Sequence, residues 1–249
     1  MLNLIISGCN GYMGRVVAGI AAGDEDVSVA AGISRSAVTD LPFKTYTSYS
    51  GFDGTADVLI DFSSPAAVDI GMLDMCVAKK IPAVLCTTGY SDAQTAKIKA
   101  AAEKLPIFKT ANLSIGINLL TELVTQAAAK LGLDFDVEIA EAHHRRKVDA
   151  PSGTALMLAD AARKGLAPNR MGYVFDRSNR REARSNSEIG ISSVRGGTIP
   201  GEHTVIFAGR DEVIEFKHTV YSREVFAAGA IRAAKFLAGI NEPGIYDKF

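Results

Sequence analysis

An α/β fold is predicted, with an N-terminal doubly wound domain joined to an α+β domain built on a mixed sheet, and three observations predict it. Short apolar runs alternate with helix-length segments over the first third of the chain. A glycine triplet interrupts the first strand-to-helix turn, and from about Asn118 the pattern changes to a long helix followed by alternating β-like runs.

The elements follow in order. LNLIIS reads as a strand, the glycine turn leads into a helix from about Met13 to Ala22, and VSVAAGI is a second strand. Strands ADVLIDFS and PAVLCTT flank AAVDIGMLDMCVAKK, whose apolar residues recur at helical spacing and predict one helix. Ser91 and Asp92 are candidate caps for SDAQTAKIKAAAEK, which precedes the strand PIFKT. Right-handed crossovers between such strands make the sheet parallel and cover both of its faces. Then come the helix NLLTELVTQAAAKLG, the strand DVEIAEAHH, a capped helix in DAPSGTALMLADAARKG, and β-like runs at IGISSVRGG, HTVIFAG and EVIEFKHTV. The arginine-rich stretch Asp176 to Glu188 reads as a long mobile, solvated loop. REVFAAGAIRAAKFLAG is a last amphipathic helix, expected to return to the first domain. The expected division is therefore 1–113 with 223–249, a dinucleotide-binding domain, and 114–222, a substrate-binding and oligomerisation domain.

Composition narrows the function. The 249 residues are 47% hydrophobic and 22% charged, with a net charge of −1, so the chain folds around a core and has no global attraction to nucleic acid or anionic membranes. Cys9, Cys76 and Cys86 lack CxxC spacing, which suggests neither a disulfide framework nor a zinc knuckle. A reducing cytoplasm is expected. No run reaches the roughly 18 to 20 apolar residues that span a bilayer.

Gly8, Gly11 and Gly14 form G-x-x-G-x-x-G between strand and helix, the Rossmann-type position where a tight turn lets backbone approach a pyrophosphate at a helix N-terminus. About twenty residues later such domains carry an acidic residue for the ribose. Here Ser34 and Arg35 stand there, a pair better suited to a 2′-phosphate, so NADPH is expected over NADH, with NADH use possible. Thr87-Thr88-Gly89, at another strand end, can touch a dinucleotide or serve as plain loop chemistry.

The stretch EAHHRRKVDAPSGTA, Glu141 to Ala155, invites three readings. Adjacent histidines on a strand point to opposite faces, so His143 and His144 are poorly placed to share a metal ion, and none is expected. Arg145, Arg146 and Lys147 lack interleaved aromatics, against a nucleic-acid platform. An enzyme site fits the residue types better. Histidine exchanges protons near neutrality, cations stabilise an anionic substrate, and Ser152-Gly153-Thr154 opens a helix whose N-terminus can hold a carboxylate. Beside a dinucleotide domain this describes hydride delivery to a small carboxylated substrate, with His143 or Lys147 supplying a proton.

GCNGYMGR, IDFS, CTTGY, ANLSIGINLL, EAHHRRKVDAPSGTA, SVRGGTIPGEHTV and YSREVFAAGAIRAAKFL together resemble the 4-hydroxy-tetrahydrodipicolinate reductase (dihydrodipicolinate reductase) family along almost the whole chain. The resemblance implies reduction of the cyclic dicarboxylate to tetrahydrodipicolinate in the diaminopimelate route to lysine. It implies acid–base catalysis by His143 and proton donation by Lys147, with His144, Lys147, Ser152, Gly153 and Thr154 on the substrate. Cofactor contacts carry over to Gly8, Cys9, Asn10, Gly11, Tyr12 and Met13, to Cys86, Thr87 and Thr88, and to Thr110, Ala111, Asn112 and Leu113, beside the Ser34 and Arg35 already named. A homotetramer joined through sheets of the second domain is also implied. Two departures bear on the cofactor: Tyr12 stands where many members have Arg or Lys, and Ser34 replaces the acidic residue. A reductase of another imine or keto acid, or a non-catalytic dinucleotide sensor, are the competing expectations. Arg145 and Arg146 have no expected task.

Overall fold

The computed structural model describes every residue except Ala111, 167–170, Asn179 and Phe249. Its chain divides into two compact units, Met1–Leu113 with Glu224–Phe249, and Ser114–Arg223. Arg223, grouped by sequence with the returning helix, lies in the second unit.

The first unit is a seven-stranded sheet. Its strands are β1 (Leu2–Ser7), β2 (Val27–Ile33), β3 (Thr45–Tyr46), β4 (Val58–Asp61), β5 (Ala83–Leu85), β6 (Pro106–Lys109) and β12 (Gly244–Tyr246). They lie in the order β12-β6-β5-β4-β1-β2-β3, and every pairing is parallel. Helices α1 (Tyr12–Ala22) and α6 (Glu224–Ala238) pack on one face, against Leu4 and Ile6. On the other face α2 (Met72–Lys79) and α3 (Asp92–Ala102) pack against Ile5 and Leu59. Burial on both sides explains why β1 reads as an unbroken apolar run. Truncating a fully buried residue such as Ile5 to Ala removes on the order of 2–5 kcal/mol.

Local chemistry sets the ends. Ser91 Oγ accepts from Gln94 N at 3.2 Å and Gln94 Oε1 accepts from Ser91 N at 2.9 Å, a reciprocal cap that starts α3. The single helix predicted over 66–80 is in fact two pieces, a 3-10 turn at Pro65–Val68 and then α2, because the chain passes through Gly71 at φ +95°. Strands β3 and β12 are too short for a periodic signal and pair only at sheet edges.

In the second unit, β7 (Asp136–His143), β8 (Gly172–Val174), β9 (Glu188–Arg195), β10 (Glu202–Ala208) and β11 (Val213–Thr219) order as β11-β10-β7-β9-β8. β7 runs antiparallel to β10 and parallel to β9, which makes the sheet mixed. Helices α4 (Ile115–Leu131) and α5 (Gly153–Gly165) bury Ile117, Leu158 and Ala162 against Val137, Ile139, Val205 and Phe207. The arginine-rich stretch departs from its solvated reading. Arg184 reaches Asp136 at 2.6 Å and Glu138 at 3.0 Å, and Arg177 binds Glu138 and Glu188. Carboxylates at the start of β7 and β9 attract these guanidiniums because they would otherwise sit together uncompensated.

Candidate active site

In the first unit the chain leaves β1 through Gly8 at φ +79°, where an added Cβ would lie 2.7 Å from Phe62 O. A Cβ at Gly14 would lie 2.3 Å from Gly8 O, so only glycine lets the loop and α1 close on each other. Gly8 N and Cys9 N both donate to Ile33 O, at 2.8 and 3.3 Å, and Gly11 caps α1 without a side-chain hydrogen bond. An anion here would therefore meet the first turn of α1, with Tyr12 and Met13, rather than the amides of Gly8 and Cys9. Cys9 is fully buried and burial raises its thiol pKa, so that side chain is core. Asn10 Oδ1 accepts from Arg15 at 2.8 Å, and Arg15 also holds Asp40 at 2.9 Å, a pair at the loop that the sequence reading left out.

The remaining dinucleotide candidates sit at strand ends of the same sheet. Ser34 follows β2 with its N–H on Tyr46 O at 3.0 Å, and Arg35 is exposed. Cys86, Thr87 and Thr88 follow β5, while Thr110, Asn112 and Leu113 follow β6; Ala111 lies outside the described residues. Asp61, fully buried at the end of β4, accepts from Ser7 Oγ and Thr87 Oγ1, both at 2.7 Å, and from Ser63 N at 3.1 Å. One carboxylate thus ties together the carboxyl ends of three adjacent strands, where ligands of such sheets bind.

The second unit assembles a different chemistry. Burial alternates along β7, so Glu141 and His143 share its inner side, and His143 is 9% exposed. His143 Nδ1 lies 2.6 Å from Glu141 Oε2. Arg195 on β9 grips the same carboxylate with both terminal nitrogens, each at 2.7 Å, and Ser152 N donates to Oε1 at 3.1 Å. Burial pushes the Glu141 carboxyl upward, but hydrogen bonds from Arg195, Ser193 and His143 outweigh it and hold its pKa at about 2. For His143 burial dominates and lowers the pKa, with Lys147 and Arg195 acting the same way and Glu141 opposing them.

Beyond His143 the chain turns. Lys147 N donates to His144 O at 3.0 Å, and Lys147 Nζ lies 2.8 Å from Asp149 Oδ1. His144 is half-buried with Nδ1 enclosed and unpartnered among the described residues. Ser152 caps α5, its Oγ accepting from Ala155 N at 3.1 Å and meeting His203 Nε2 at 2.8 Å. With only 2% exposure and its N–H on Glu141, Ser152 is committed to the protein, whereas Gly153 at the start of α5 is exposed. His203 stacks edge-on against His143 at 5.1 Å between ring centres, and burial drives its pKa to about 4, so it is neutral. Gly201 leaves room beside the outer nitrogen: a Cβ there would stand 3.2 Å from His143 Nε2.

The structure therefore gathers His143, His144, Lys147, Ser152, Gly153 and Thr154 around the end of β7 and the start of α5. Arg145 and Arg146 are exposed. Glu141, Arg195 and His203 were not singled out by sequence, although Glu141 stands two residues before His143, the spacing that puts side chains on one face of a strand. Among the described residues no group of three or more His, Cys, Asp or Glu is placed to hold a metal ion, and no helix is long and apolar enough to cross a membrane.

A glycine-cradled parallel sheet, with a second unit that presents a carboxylate-backed histidine near a helix N-terminus, defines a two-unit nucleotide-dependent oxidoreductase. Family models identify which one: dihydrodipicolinate reductase, N-terminus, matches residues 2–113, and dihydrodipicolinate reductase, C-terminus, matches residues 116–248. The chain belongs to the dihydrodipicolinate reductase family, NAD(P)H-dependent oxidoreductases of diaminopimelate and lysine biosynthesis. It is 43% identical over 247 residues to a 4-hydroxy-tetrahydrodipicolinate reductase of Clostridium tetani, covering 99% of this chain and 95% of that one. With the protein of the same description from Caldanaerobacter subterraneus it shares 48% over 246 residues, 99% of this chain and 96% of the relative. A dipicolinate-bound dihydrodipicolinate reductase from Paenisporosarcina sp. TG-14 has the same fold, with a TM-score of 0.79 at 24% identity over 99% and 98% of the two chains.

Proposed function

We propose that this chain reduces 4-hydroxy-tetrahydrodipicolinate to tetrahydrodipicolinate, with the second unit holding the substrate and the first holding NADPH in preference to NADH. The observation that carries the substrate role is the pairing of His143, its Nδ1 fixed on Glu141, with the N-terminus of α5. The cofactor, when bound, supplies a hydride. The substrate also takes up one proton and loses its hydroxyl as water. His143 Nε2 is the atom that gives that proton to the ring. Lys147 Nζ, exchanging its partner Asp149 for the substrate, gives a proton to the departing hydroxyl, which is balanced by the hydrogen the neighbouring ring carbon loses in the elimination. The N–H groups of Gly153 and Thr154 at the positive end of α5, with His144 and Lys147, hold the carboxylates. Ser152 acts through its cap, which fixes that helix end.

Asn10 to Met13, Cys86 to Thr88 and Thr110, Asn112 and Leu113 line the dinucleotide, with Gly8 shaping the turn and Cys9 packed behind it. The expected contact at Ala111 lies outside the described residues. The close approaches of Gly8 and Gly14 fit a pyrophosphate on the first turn of α1, and Ser34 with exposed Arg35 supports a 2′-phosphate. Exposed Val194 and Val213 lie on the sheet face turned away from α4 and α5, which supports a homotetramer joined through that sheet. A cytoplasmic setting accords with three free cysteines.

The test is purified protein assayed on freshly generated cyclic dicarboxylate with NADPH and NADH in parallel, together with His143→Ala and Lys147→Ala. Turnover faster with NADPH and lost in both variants is expected. Undiminished turnover in both would remove the assigned roles, and no oxidation of either nucleotide would favour a sensor.

A further inference from the structure

Proton donation needs one ring nitrogen of His143 to face the substrate and the other to be held, and the buried groups behind the ring decide which. Glu141 has no exposed side-chain surface, and its two oxygens accept from His143 Nδ1 at 2.6 Å, from Arg195 twice at 2.7 Å, from Ser152 N at 3.1 Å and from the Ser193 side chain. A carboxylate so occupied can only accept, so the hydrogen between it and His143 resides on Nδ1. The other nitrogen, Nε2, then points to the space left by Gly201.

We infer that Glu141, clamped by Arg195, is a positioning residue for the reaction: it fixes the Nδ1–H form of His143 and steadies the imidazolium from which Nε2 releases its proton. This rests on His143 being the proton donor of the second unit. Glu141 takes up no proton itself; Nδ1 keeps its hydrogen, and the proton delivered from Nε2 is restored from solvent. Arg195 makes the arrangement one-sided. Its guanidinium has only donors, so it holds both carboxylate oxygens ionised and bars a protonated or amide group from taking their place without loss. It also spans the site, since a further bond runs from Arg195 to Asp149 O at 2.7 Å, next to the Lys147 partner.

The charges facing His143 come from every neighbouring element. Glu141 lies on its own strand, Arg195 on β9, His203 on β10, and Lys147, paired with Asp149, on the following loop. Glu141 is the anion bonded to the ring and favours the imidazolium, whereas Asp149 is spent on Lys147, so neutralising Glu141 leaves burial, Arg195 and Lys147 to act on His143 without that opposition.

Two measurements test this. The first needs no variant: long-range 1H–15N spectra of the wild-type protein near neutral pH should show neutral His143 carrying its hydrogen on Nδ1, with that proton far downfield. The Nε2–H form would overturn the inference. The second compares Glu141→Gln, Glu141→Asp and His143→Ala. For Glu141→Gln we expect kcat to fall on the order of 100-fold with the KM for NADPH unchanged, and the alkaline limb of the kcat profile to move to lower pH by roughly one unit. Glu141→Asp should restore part of the rate and return the limb toward its wild-type position. A fall in kcat with no movement of the limb would mark Glu141 as merely structural. If His143→Ala is inactive while Glu141→Gln behaves as wild type, the inference fails and the assignment of His143 stands; if His143→Ala is fully active, that assignment fails and takes the inference with it.

Discussion

Glu141 should leave a signature in acid stability that separates it from the other carboxylates. Its pKa falls from the ordinary 4.5 to about 2 in the folded protein, and its side chain has no exposed surface, so solvent does little to screen the effect. A folded pKa below the unfolded one means stability that is fully present above the unfolded value and lost as pH falls toward the folded one. The drop is equivalent to about 3 kcal/mol, of which about 2 kcal/mol has gone by about pH 3 and most of the remainder by about pH 2. The assay is urea unfolding of wild type and Glu141→Gln, followed by circular dichroism at intervals between about pH 6 and pH 3. Carboxylates common to both proteins cancel in the difference. The variant should be less stable at pH 6, because Arg195 loses its counter-charge. Acidification closes that gap by about 2 kcal/mol through Glu141, while the roughly one-unit drop in the His143 pKa of the variant widens it by about 1.4 kcal/mol. The same pair is therefore also compared in a His143→Ala background, where the Glu141 closure stands alone. A gap that stays constant across this range in the His143→Ala background would show that Glu141 is not held ionised by the fold, which removes the anion behind His143.

Three further outcomes follow from distances and charges. Gly201→Ala would place a Cβ 3.2 Å from His143 Nε2, so turnover should drop at least several-fold, on the order of 1–2 kcal/mol of barrier, while nucleotide binding measured by fluorescence is unchanged. Arg184→Ala should cost on the order of 1–3 kcal/mol, seen as a lower thermal midpoint, because Asp136 and Glu138 lose a shared cation; a solvated loop residue would cost nothing measurable. Arg35→Ser should raise the KM for NADPH roughly tenfold, about 1.4 kcal/mol, and leave that for NADH within about twofold if the guanidinium meets a 2′-phosphate.

Much of the fold was legible because burial leaves its period in the sequence. Leu4, Ile5 and Ile6 are covered on both faces and read as a continuous run, whereas β7 and β10 are covered on one face and alternate. Caps at Ser91 and Ser152 were legible for the same local reason, a hydroxyl three residues before an amide that needs an acceptor. What escaped was either too short or not periodic. Strands β3, β8 and β12 span two or three residues each, and the break at Gly71 lies inside an apolar pattern that still looks helical. The arginines at 177 and 184 escaped because Glu138 and Asp136, the β7 carboxylates they bind, are 39 and 48 residues away, beyond any local signal.

The site divides along the same line, and the sheet register explains why. His143, Lys147 and the Ser152 turn are neighbours in sequence, so residue type and spacing sufficed to group them. Arg195 and His203 reach the same place only because β9 and β10 flank β7, with His143 opposite Arg195 and Glu141 opposite His203. Alternation makes that register all or nothing. A slip of one residue along β9 would set Val194 beside His143 and turn Arg195 to the other face, leaving Glu141 buried without its cation. Removing one partner of such a buried pair costs on the order of 3–5 kcal/mol, so the ion pair that steadies the histidine also selects the strand pairing. The proton chemistry of one residue and the register of the sheet are, in this unit, settled by the same carboxylate.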